Sequence, residues 1–301
     1  MATPRNAFCA PLSTPDLRNR TTYVAPTMCT PSTHTNTKKL LSWNVNGLRA
    51  LLRKDPRALS DLVHQYDPDI VCLQETKIQT KHEKLFKNAL PGYEALICNS
   101  STSRLGYSGT ATFSRLPVDI FQRQINHGLC DDEGRFVMIE YPSLSVINVY
   151  SVNSGQSLKR LPIRMTWDQS LRKMIRLIRR NRGKPVLVLG DLNVARHEID
   201  VYNAERVQGR AGYTDLERRS FEDTLETCGL VDVFRTMHPD KRVFTYWDYK
   251  SNARQRNHGW RIDYALVSDD MLPAVRDVHI LDHVTGSDHC PVLIEVTNGI
   301  L

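Results

Sequence analysis

Several classes of protein are excluded by what the chain lacks. No apolar run approaches the roughly 18 residues that a bilayer-spanning helix needs, which argues against an integral membrane protein. The cysteines are odd in number and have no C-x-x-C spacing, so neither a disulfide framework nor a cysteine-ligated zinc site is indicated. This pattern favours a reducing intracellular compartment. The seven cysteines are Cys9, Cys29, Cys72, Cys98, Cys130, Cys228 and Cys290.

The first 37 residues are nearly devoid of acidic side chains. They contain only Asp16, are rich in serine, threonine and proline, and show no sustained hydrophobic periodicity. Such a segment cannot bury enough surface to offset its ordering entropy, so we expect a disordered tail over residues 1–37 and a folded domain over residues 38–301. Its three arginines also resemble a mitochondrial transit peptide, and a plain N-terminal extension is the alternative.

The composition of the whole chain allows a large core and a basic surface. With 301 residues and 41% hydrophobic content, the chain can form one sizeable domain or two small ones. The net charge of +7 fits a polyanionic partner, because Lys and Arg that neutralise phosphates release condensed counterions. A soluble protein with a well-charged surface would have the same balance, so charge leaves both interpretations open.

Residues 38–301 alternate between strand-like and helix-like segments. Asp55-Pro56 begins an amphipathic helix that Asp67-Pro68 ends, and a longer helix has an apolar face from Trp167 to Ile178. Many strands with hairpin spacing and few helices predict a sheet sandwich covered by helices. The predicted strands span residues 40–45, 70–73, 135–140, 144–150, 185–189, 261–267 and 292–296.

Polar clusters follow two of the apolar runs, and a third lies just before the last strand. Gln74-Glu75-Thr76 follows residues 70–73, Asp191-Leu192-Asn193 follows residues 185–189, and Gly286-Ser287-Asp288-His289 precedes residues 292–296. The end of a buried strand is where a side chain can enter a pocket. Carboxylates, amides and a histidine delivered in this way are suited to metal-assisted hydrolysis of a phosphate ester.

An oxygen-rich set favours Mg²⁺ as the cation. Glu75, Asp288 and Asn46 offer carboxylate and amide oxygens, which are the ligands that Mg²⁺ prefers. Taken singly, each carboxylate is more often a solvent-exposed cap at a strand end than a metal ligand.

The remaining polar pairs indicate acid–base chemistry. His289 with Asp263 could form a histidine oriented by a buried carboxylate, which acts as an acid, a base or a cation towards a phosphoryl oxygen. Asp191 could take a proton from water while the amide of Asn193 holds that water. A single histidine in a turn, or a lone D-x-N, is more often structural, so only the occurrence of all these clusters in one chain indicates catalysis.

Taken together, the sequence segments that carry these clusters resemble those of the exonuclease III-type apurinic/apyrimidinic (AP) endonucleases of the endonuclease/exonuclease/phosphatase superfamily. Matching segments occur in the order of that family and cover about residues 40–297. Asn-Gly-Leu-Arg, Gly-Tyr-Ser-Gly and Gly-Trp-Arg-x-Asp are more particular to its DNA-repair branch. The segments are Ser42-Trp-Asn-Val-Asn-Gly-Leu-Arg49, Leu73-Gln-Glu-Thr-Lys77, Gly106-Tyr-Ser-Gly109, Gly190-Asp-Leu-Asn193, Gly259-Trp-Arg-Ile-Asp-Tyr264 and Gly286-Ser-Asp-His-Cys-Pro291.

The resemblance implies roles for individual residues. The metal side of the site would comprise Asn44, Asn46, Glu75 and Asp288, with Glu75 as the principal ligand, and Asp191, Asn193 and His289 as further candidates. The catalytic set would be Tyr150, Asp191, Asn193, Asp263 and His289, with Asn153 on the scissile phosphate. Backbone contacts would come from Arg49, Lys54, Tyr107 and Arg135, and the pocket for the extruded sugar from Tyr246, Trp260 and Ile262.

Fold, activity and partners follow from the same resemblance. We expect a four-layer α/β sandwich, with two mixed β-sheets face to face between helices. The expected enzyme is a monomer that uses Mg²⁺, or Mn²⁺ in its place, to cleave double-stranded DNA 5′ to an abasic site. Secondary 3′-phosphodiesterase and 3′-to-5′ exonuclease activities are also implied, with the nucleus or the mitochondrion as the compartment. The alternatives are a lipid or inositol phosphate phosphodiesterase of the superfamily and a catalytically silent DNA-binding or redox regulator.

Overall fold

The computed structural model describes residues 37–87, 89–125 and 130–301, without the side chain of Lys250. The predicted tail over residues 1–37 therefore lies outside the described residues, except for Thr37, which already belongs to the first strand. Within the described residues, no helix combines the length and apolar character needed to cross a membrane.

The described residues form twelve β-strands and six α-helices, joined by loops and short 3₁₀ turns. The strands are β1 (Thr37–Asn44), β2 (Ile70–Gln74), β3 (Ala95–Asn99), β4 (Thr110–Ser114), β5 (Ile120–Gln122), β6 (Phe136–Glu140), β7 (Ser145–Tyr150), β8 (Val186–Asp191), β9 (Leu230–Asp232), β10 (Asp263–Ser268), β11 (Val275–Ile280) and β12 (Val292–Thr297). The helices are α1 (Leu48–Lys54), α2 (Ala58–Tyr66), α3 (Leu161–Arg182), α4 (Ala204–Val207), α5 (Asp215–Cys228) and α6 (Val233–Met237).

The strands form two mixed sheets of six strands each. One has the order β11-β12-β1-β2-β4-β3, and the other has the order β5-β6-β7-β8-β10-β9. Each sheet contains one parallel pair, β1 with β2 and β7 with β8, and its remaining pairs are antiparallel. This arrangement confirms the predicted pair of mixed sheets.

The sheets pack face to face, and helices cover their outer faces. Apolar side chains of both sheets form a shared core in which Leu40 and Ile70 of one sheet meet Leu187 and Leu189 of the other. Trp167 and Ile175 of α3 pack with residues of α5 against the second sheet, while α1 and α2 cover the first. Burying each such side chain contributes roughly 1.5–3 kcal/mol, so the layered packing supplies most of the stabilisation.

Helix boundaries follow local sequence chemistry. Thr214 and Glu217 form a reciprocal capping box at the start of α5, and Gly229 ends that helix in the left-handed conformation. Helix α3 has a proline in its first turn and ends at Gly183. The sequence did not predict α1, because seven residues are too short to show helical periodicity.

Candidate active site

Strand register brings three functional side chains into one row. Asp191 at the end of β8 pairs with Tyr150 of β7 and with Asp263 of β10. Paired residues of neighbouring strands project to the same face of a sheet, so the three side chains are neighbours. In the other sheet, Asn44 pairs with Gln74, and Glu75 follows at the next position. Both sheets therefore deliver polar groups at one end of the sandwich.

Asn44 joins the contributions of the two sheets. Its Nδ2 donates to Oε1 of Glu75 at 3.1 Å and to Oδ2 of Asp191 at 2.9 Å. Its Oδ1 accepts from the backbone N–H of Asn46 at 3.0 Å. One fully buried amide thereby fixes two carboxylates from opposite sheets.

The backbone at Glu75 is held in a conformation that costs energy. Glu75 has φ of 48°, in the left-handed region that non-glycine residues enter only at about 1–3 kcal/mol. Gly47 N–H donates to the Glu75 carbonyl at 2.7 Å, and Thr76 N–H donates to the Gly109 carbonyl at 3.0 Å. Gly109 itself has φ of +86°, and a Cβ there would lie 2.7 Å from Oγ1 of Thr76. The Asn-Gly and Gly-Tyr-Ser-Gly segments thus buttress the carboxylate.

Glu75, Asp191 and His289 form a candidate cation site. One ligand atom from each lies within 4.8 Å of the others. The Lys77 ammonium contacts Oε2 of Glu75 at 3.0 Å and also contacts Oδ1 of Asn46. A cationic group thus already bridges two oxygens predicted to bind metal, and oxygen donors of this kind fit a hard divalent cation.

Asp288 belongs to the same cavity but not to this cluster. It lines the cavity and accepts from the hydroxyl of Ser287 at 3.2 Å. Asn46 and Asn193 also line the cavity. The predicted metal residues therefore share one cavity, while the tight grouping of titratable ligands is limited to three of them.

His289 is buried between two carboxylates. Its Nδ1 lies 2.8 Å from Oδ2 of Asp263, and its Nε2 lies 3.9 Å from Oδ2 of Asp191. Burial alone would lower the pKa of His289, but the negative charges of Asp263 and Asp191 outweigh it and raise the pKa to about 10. The imidazole is therefore a cation in the metal-free protein at neutral pH.

The pKa values of Asp191 and Glu75 shift in opposite directions in this environment. Burial, followed by the negative charge of Asp263, raises the pKa of Asp191 to about 7. Burial also acts to raise the pKa of Glu75, but the charge of Lys77 and the hydrogen bond from Asn44 leave it below its ordinary value. Asp191 is thus the carboxylate poised to exchange a proton near neutrality.

Asn193 and Asn153 extend the polar surface beside Asp191. The backbone N–H of Asn193 donates to Oδ1 of Asp191 at 2.8 Å, and its Nδ2 donates to the Ser151 carbonyl at 3.0 Å. Asn153 Nδ2 donates to Oδ1 of Asn193 at 2.7 Å. This chain of amides fixes the geometry next to the candidate base.

Arg135 lies beneath the surface rather than on it, contrary to the predicted contact with the DNA backbone. Its side chain is only 2% exposed. It donates to Glu133, to the hydroxyl of Tyr107 and to the carbonyls of Tyr150 and Ser151. Its guanidinium also lies 4.5 Å from the ring centroid of Tyr150. Arg135 therefore holds Tyr150 in place through its contacts with the carbonyl and the ring of that residue. The acceptors that surround the Arg135 guanidinium are brought together by the fold and cannot be seen in the sequence.

The site opens into a cavity of about 940 Å³. Tyr246, Trp260 and Ile262 line it, and the ring of Tyr246 lies 4.8 Å from that of His289. Arg49 and Lys54 are exposed on α1 and are not among the residues that line the cavity. The predicted residues that do line it are Asn46, Glu75, Tyr150, Asn153, Asp191, Asn193, Tyr246, Trp260, Ile262, Asp288 and His289.

Some functional positions escaped the sequence prediction. Residues 209–212 form one wall of the cavity. They are Gly209, Arg210, Ala211 and Gly212, and they belong to none of the motifs that the sequence shares with the family. Lys77 was within a recognised motif, but its contact with Asn46 depends on left-handed backbone at positions 75 and 77. Asn and Gly residues in the sequence indicate where a turn lies. They do not indicate which side chains that turn brings into contact.

Comparisons with known proteins agree with this geometry. The chain matches the Endonuclease/Exonuclease/phosphatase family over residues 41–289. It is 41% identical over 260 residues to an exodeoxyribonuclease of Bacillus subtilis (strain 168), covering 84% of this chain and 97% of that protein. It is 38% identical over 257 residues to the DNA repair nuclease APEX1 of Danio rerio, covering 85% of this chain and 81% of that protein.

A comparison with solved structures also identifies AP endonucleases as similar proteins. The AP endonuclease LMAP from Leishmania major superposes with a TM-score of 0.80 at 31% identity, over 87% of this chain and 88% of that one. Both the matched segments and the layered architecture are therefore shared with relatives across most of the chain. The chain belongs to the endonuclease/exonuclease/phosphatase family, and within it to the exonuclease III-type AP endonucleases.

Proposed function

We propose that the protein is a Mg²⁺-dependent DNA repair endonuclease that hydrolyses the phosphodiester 5′ to an abasic site. The products would be a 3′-hydroxyl and a 5′-deoxyribose phosphate, with 3′-phosphodiesterase and 3′-to-5′ exonuclease as secondary activities. The enzyme would act as a monomer on double-stranded DNA, in the nucleus or the mitochondrion. Mn²⁺ would substitute for Mg²⁺.

The observation that carries the proposal is the grouping of Glu75, Asp191 and His289 within 4.8 Å. Lys77 bridges Glu75 and Asn46, which supports a cation position at those oxygens. Glu75 and Asn46, with Asp288 in the same cavity, would hold Mg²⁺. When bound, the ion supplies charge stabilisation to the phosphate oxygens as a Lewis acid.

Asp191, Asn193 and His289 would have different roles in proton transfer and hydrogen bonding during hydrolysis. Asp191 would accept a proton from the attacking water, since its pKa of about 7 suits a base near neutrality. Asn193, tied to Asp191 through its backbone N–H, would orient that water. His289, held as a cation by Asp263 at 2.8 Å, would donate a hydrogen bond to a phosphoryl oxygen. The reverse assignment, with His289 as the base, fits its raised pKa less well.

The cavity walls supply selectivity for a missing base. Tyr246, Trp260 and Ile262 would enclose a bare deoxyribose and leave no room for a base. Extruding an abasic nucleotide also avoids part of the few kcal/mol that unstacking and unpairing a normal base costs. Tyr150 would contact the scissile phosphate. Burial, followed by the charge of Glu75, raises the pKa of Tyr150 well above its ordinary value, so its hydroxyl stays protonated as a donor.

Incision of a labelled duplex that carries one tetrahydrofuran abasic analogue tests the proposal. We expect a single cut 5′ to the analogue with Mg²⁺, none with EDTA, and little cutting of the undamaged duplex. Sphingomyelin and inositol phosphates serve as parallel substrates for the alternative phosphodiesterases. Hydrolysis of those compounds without incision of the duplex would overturn the proposal.

A further inference from the structure

Two segments of chain that line the catalytic cavity contact the same buried carboxylate. One segment contributes residues 153 and 155–158 to the cavity lining, and the other contributes residues 209–212. We call residues 153–158 the asparagine segment and residues 209–214 the glycine segment. Glu217, in the first turn of α5, is 0% exposed and is not itself part of the cavity lining. It takes no part in the proposed hydrolysis.

The two oxygens of Glu217 bind different segments. Oε1 accepts from the hydroxyl of Ser154, which lies 63 positions away in the sequence. Oε2 accepts from the backbone N–H of Gly212 at 2.9 Å, and from the backbone N–H and the hydroxyl of Thr214 at 3.2 and 2.7 Å. These donors are uncharged, and together they compensate for the water that a carboxylate loses on burial. One side chain therefore connects the asparagine segment to the glycine segment.

Helix capping explains only part of this arrangement. In the capping box of α5, the hydroxyl of Thr214 accepts from the N–H of Glu217, and the Glu217 carboxylate accepts from the N–H of Thr214. A cap of this kind requires neither Gly212 nor Ser154. The bond from Ser154, whose side chain is buried, is a tertiary contact that fixes the asparagine segment relative to α5.

The asparagine segment leads directly to the candidate base. Asn153 precedes Ser154 and donates through Nδ2 to Oδ1 of Asn193 at 2.7 Å. The backbone N–H of Asn193 donates in turn to Oδ1 of Asp191 at 2.8 Å. A displacement of Ser154 would therefore move the amides that lie beside Asp191.

The glycine segment packs closely against the same site. Gly212 has φ of +85°, and a Cβ there would lie 3.3 Å from the carbonyl oxygen of Asn193 and 3.5 Å from Cζ3 of Trp260. The carbonyl of Gly212 accepts from the N–H of Ala195 at 2.8 Å. Close-packed groups transmit displacements to their neighbours, so the position of Gly212 constrains both Asn193 and the ring of Trp260.

We propose that Glu217 is a positioning residue that joins the asparagine segment to the glycine segment and thereby fixes the geometry of the catalytic cavity. Its effect on catalysis rests on the proposed DNA substrate, whereas the link between the segments does not. A misplacement of about 1 Å can lower a rate about 100-fold, so a side chain outside the cavity can control turnover.

Amide hydrogen exchange tests the link without any substrate. Ser154→Ala removes the bond to Oε1 and leaves the capping box and the donors of the glycine segment in place. If Glu217 couples the two segments, the amides of Gly212 and Thr214 should exchange about tenfold faster, the change that a net contribution of one hydrogen bond produces. Unchanged exchange at these two amides would overturn the proposal, because the substituted residue then has no influence on the other segment.

Ser114→Ala is the matched control. It also removes a buried serine hydroxyl, which contacts the hydroxyl of Tyr141 at 2.6 Å. Ser114 pairs with Ile70, while Thr110 at the other end of β4 pairs with Gln74 beside the site. This control should lower the melting temperature but leave the exchange of the glycine segment and the incision rate as in the wild type.

Incision kinetics test the effect on catalysis. For Ser154→Ala, the single-turnover rate on the tetrahydrofuran duplex at saturating enzyme should fall about tenfold, because Asn153 is displaced. The Kd of the duplex in EDTA should stay unchanged, since no charge is removed. A wild-type rate, or a loss that appears only in Kd, would show that Glu217 does not position the reacting groups.

Two substitutions at Glu217 separate the link from the charge. In Glu217→Gln the amide oxygen can accept from Gly212 and the amide nitrogen can donate to the hydroxyl of Ser154, so slow exchange and most of the rate should be retained. Glu217→Ala should lose both, and Ser154→Ala decides the matter if this variant does not fold. Equal losses in Glu217→Gln and Glu217→Ala would make the proposal wrong. Failure of the proposed function is a separate result, because it appears as absent incision by the wild type while exchange still reports on the link.

Discussion

Two clusters of buried charge lie next to each other in this protein and are built on opposite principles. In the first, the guanidinium of Arg261 binds both oxygens of Asp200, at 2.7 and 3.0 Å, and both oxygens of Asp232, at 3.2 and 2.8 Å. Arg235 adds a second cation at 2.6 Å from Asp200. Two cations meet two anions, so the buried charges of this cluster cancel, although Nε of Arg235 is buried without a hydrogen-bond partner within the described residues.

The second cluster begins at Asp263, only two residues after Arg261, and it is not balanced. Glu75, Asp191 and Asp263 contribute three carboxylates, against the cations of His289 and Lys77. Oδ1 of Asp263 is buried and has no hydrogen-bond partner within the described residues. An unpaired buried acceptor destabilises a fold, so Oδ1 of Asp263 adds to the energetic cost of this cluster. The balanced cluster fixes the chain beside Trp260, whereas the unbalanced cluster carries an excess of negative charge that suits a cation.

Breaking the balanced cluster should have the largest effect on stability. Arg261→Met leaves Asp200 and Asp232 buried without their shared partner, so we expect a loss of about 3–5 kcal/mol in the free energy of unfolding, measured with urea. Arg182→Met is the control. It removes a partly exposed partner of Glu140, for which a loss within about 1 kcal/mol is expected. Similar losses in both variants would show that the cluster around Arg261 contributes no special stabilisation.

Within the unbalanced cluster, His289 and Asp263 should act as one unit. We expect His289→Ala to lower turnover about 100-fold or more, the range for positioned acid–base groups, and Asp263→Asn to lower it less or similarly. The double variant should lose less than the product of the single losses, because Asp263 acts through His289. Rates under single-turnover conditions measure this, and multiplicative losses would contradict the coupling.

Removing one charge at the cation site should have a smaller effect, which metal can reverse. Glu75→Gln keeps the shape of the side chain but removes a negative ligand beside Asn46, whose amide carries no charge. We expect the Mg²⁺ concentration for half-maximal incision to rise about tenfold or more, which corresponds to 1.4 kcal/mol. Exposed Glu94→Gln is the control. Incision by Glu75→Gln at low Mg²⁺ with wild-type rates would rule out a ligand role.

The two clusters differ in how much of each could be predicted from the sequence. The strand ends that carry Asp191 and Glu75 were predictable, since apolar runs of four or five residues end at polar clusters. The pairing of Arg261 with Asp200 and Asp232 was not, because these contacts join residues separated by 61 and 29 positions. Such partners meet only in the assembled fold, and no local sequence pattern predicts their contact.

Arg135 is a residue whose surroundings could not be predicted from the sequence. The family resemblance implied a contact between Arg135 and the DNA backbone, and arginine is rarely buried. The backbone carbonyls of Tyr150 and Ser151, the hydroxyl of Tyr107 and the carboxylate of Glu133 surround its guanidinium in the fold. Each acceptor is unremarkable in sequence, and their convergence on one point is a property of the tertiary structure.

The smallest expected effect is a gain in stability when the unbalanced cluster loses a charge. In the metal-free protein, burial and then the charge of Asp263 raise the pKa of Asp191 to about 7, above the value of about 3.9 for an unfolded chain. Between these values the folded protein keeps a proton that the unfolded chain has released, so this group's contribution to stability falls as pH rises from about 4 to about 7. Asp191→Asn removes that ionisation. We therefore expect its Tm in EDTA at about pH 8 to exceed that of the wild type by a few degrees, since 1 kcal/mol corresponds to roughly 2–4 °C, while incision is lost.

Asp200→Asn in the balanced cluster should show the opposite sign. Burial acts to raise the pKa of Asp200, but the charge of Arg261 outweighs it and holds the pKa below its ordinary value. Its ionised form therefore stabilises the fold above the unfolded pKa, and this stability is lost as pH falls through the folded pKa. Melting curves of both variants at about pH 8 and about pH 4 decide the matter, because the gain for Asp191→Asn should appear at the higher pH and disappear at the lower one. If Asp191→Asn and Asp200→Asn both lower the Tm at about pH 8, the site carboxylates are compensated as fully as the structural ones, and the distinction between the two clusters is wrong.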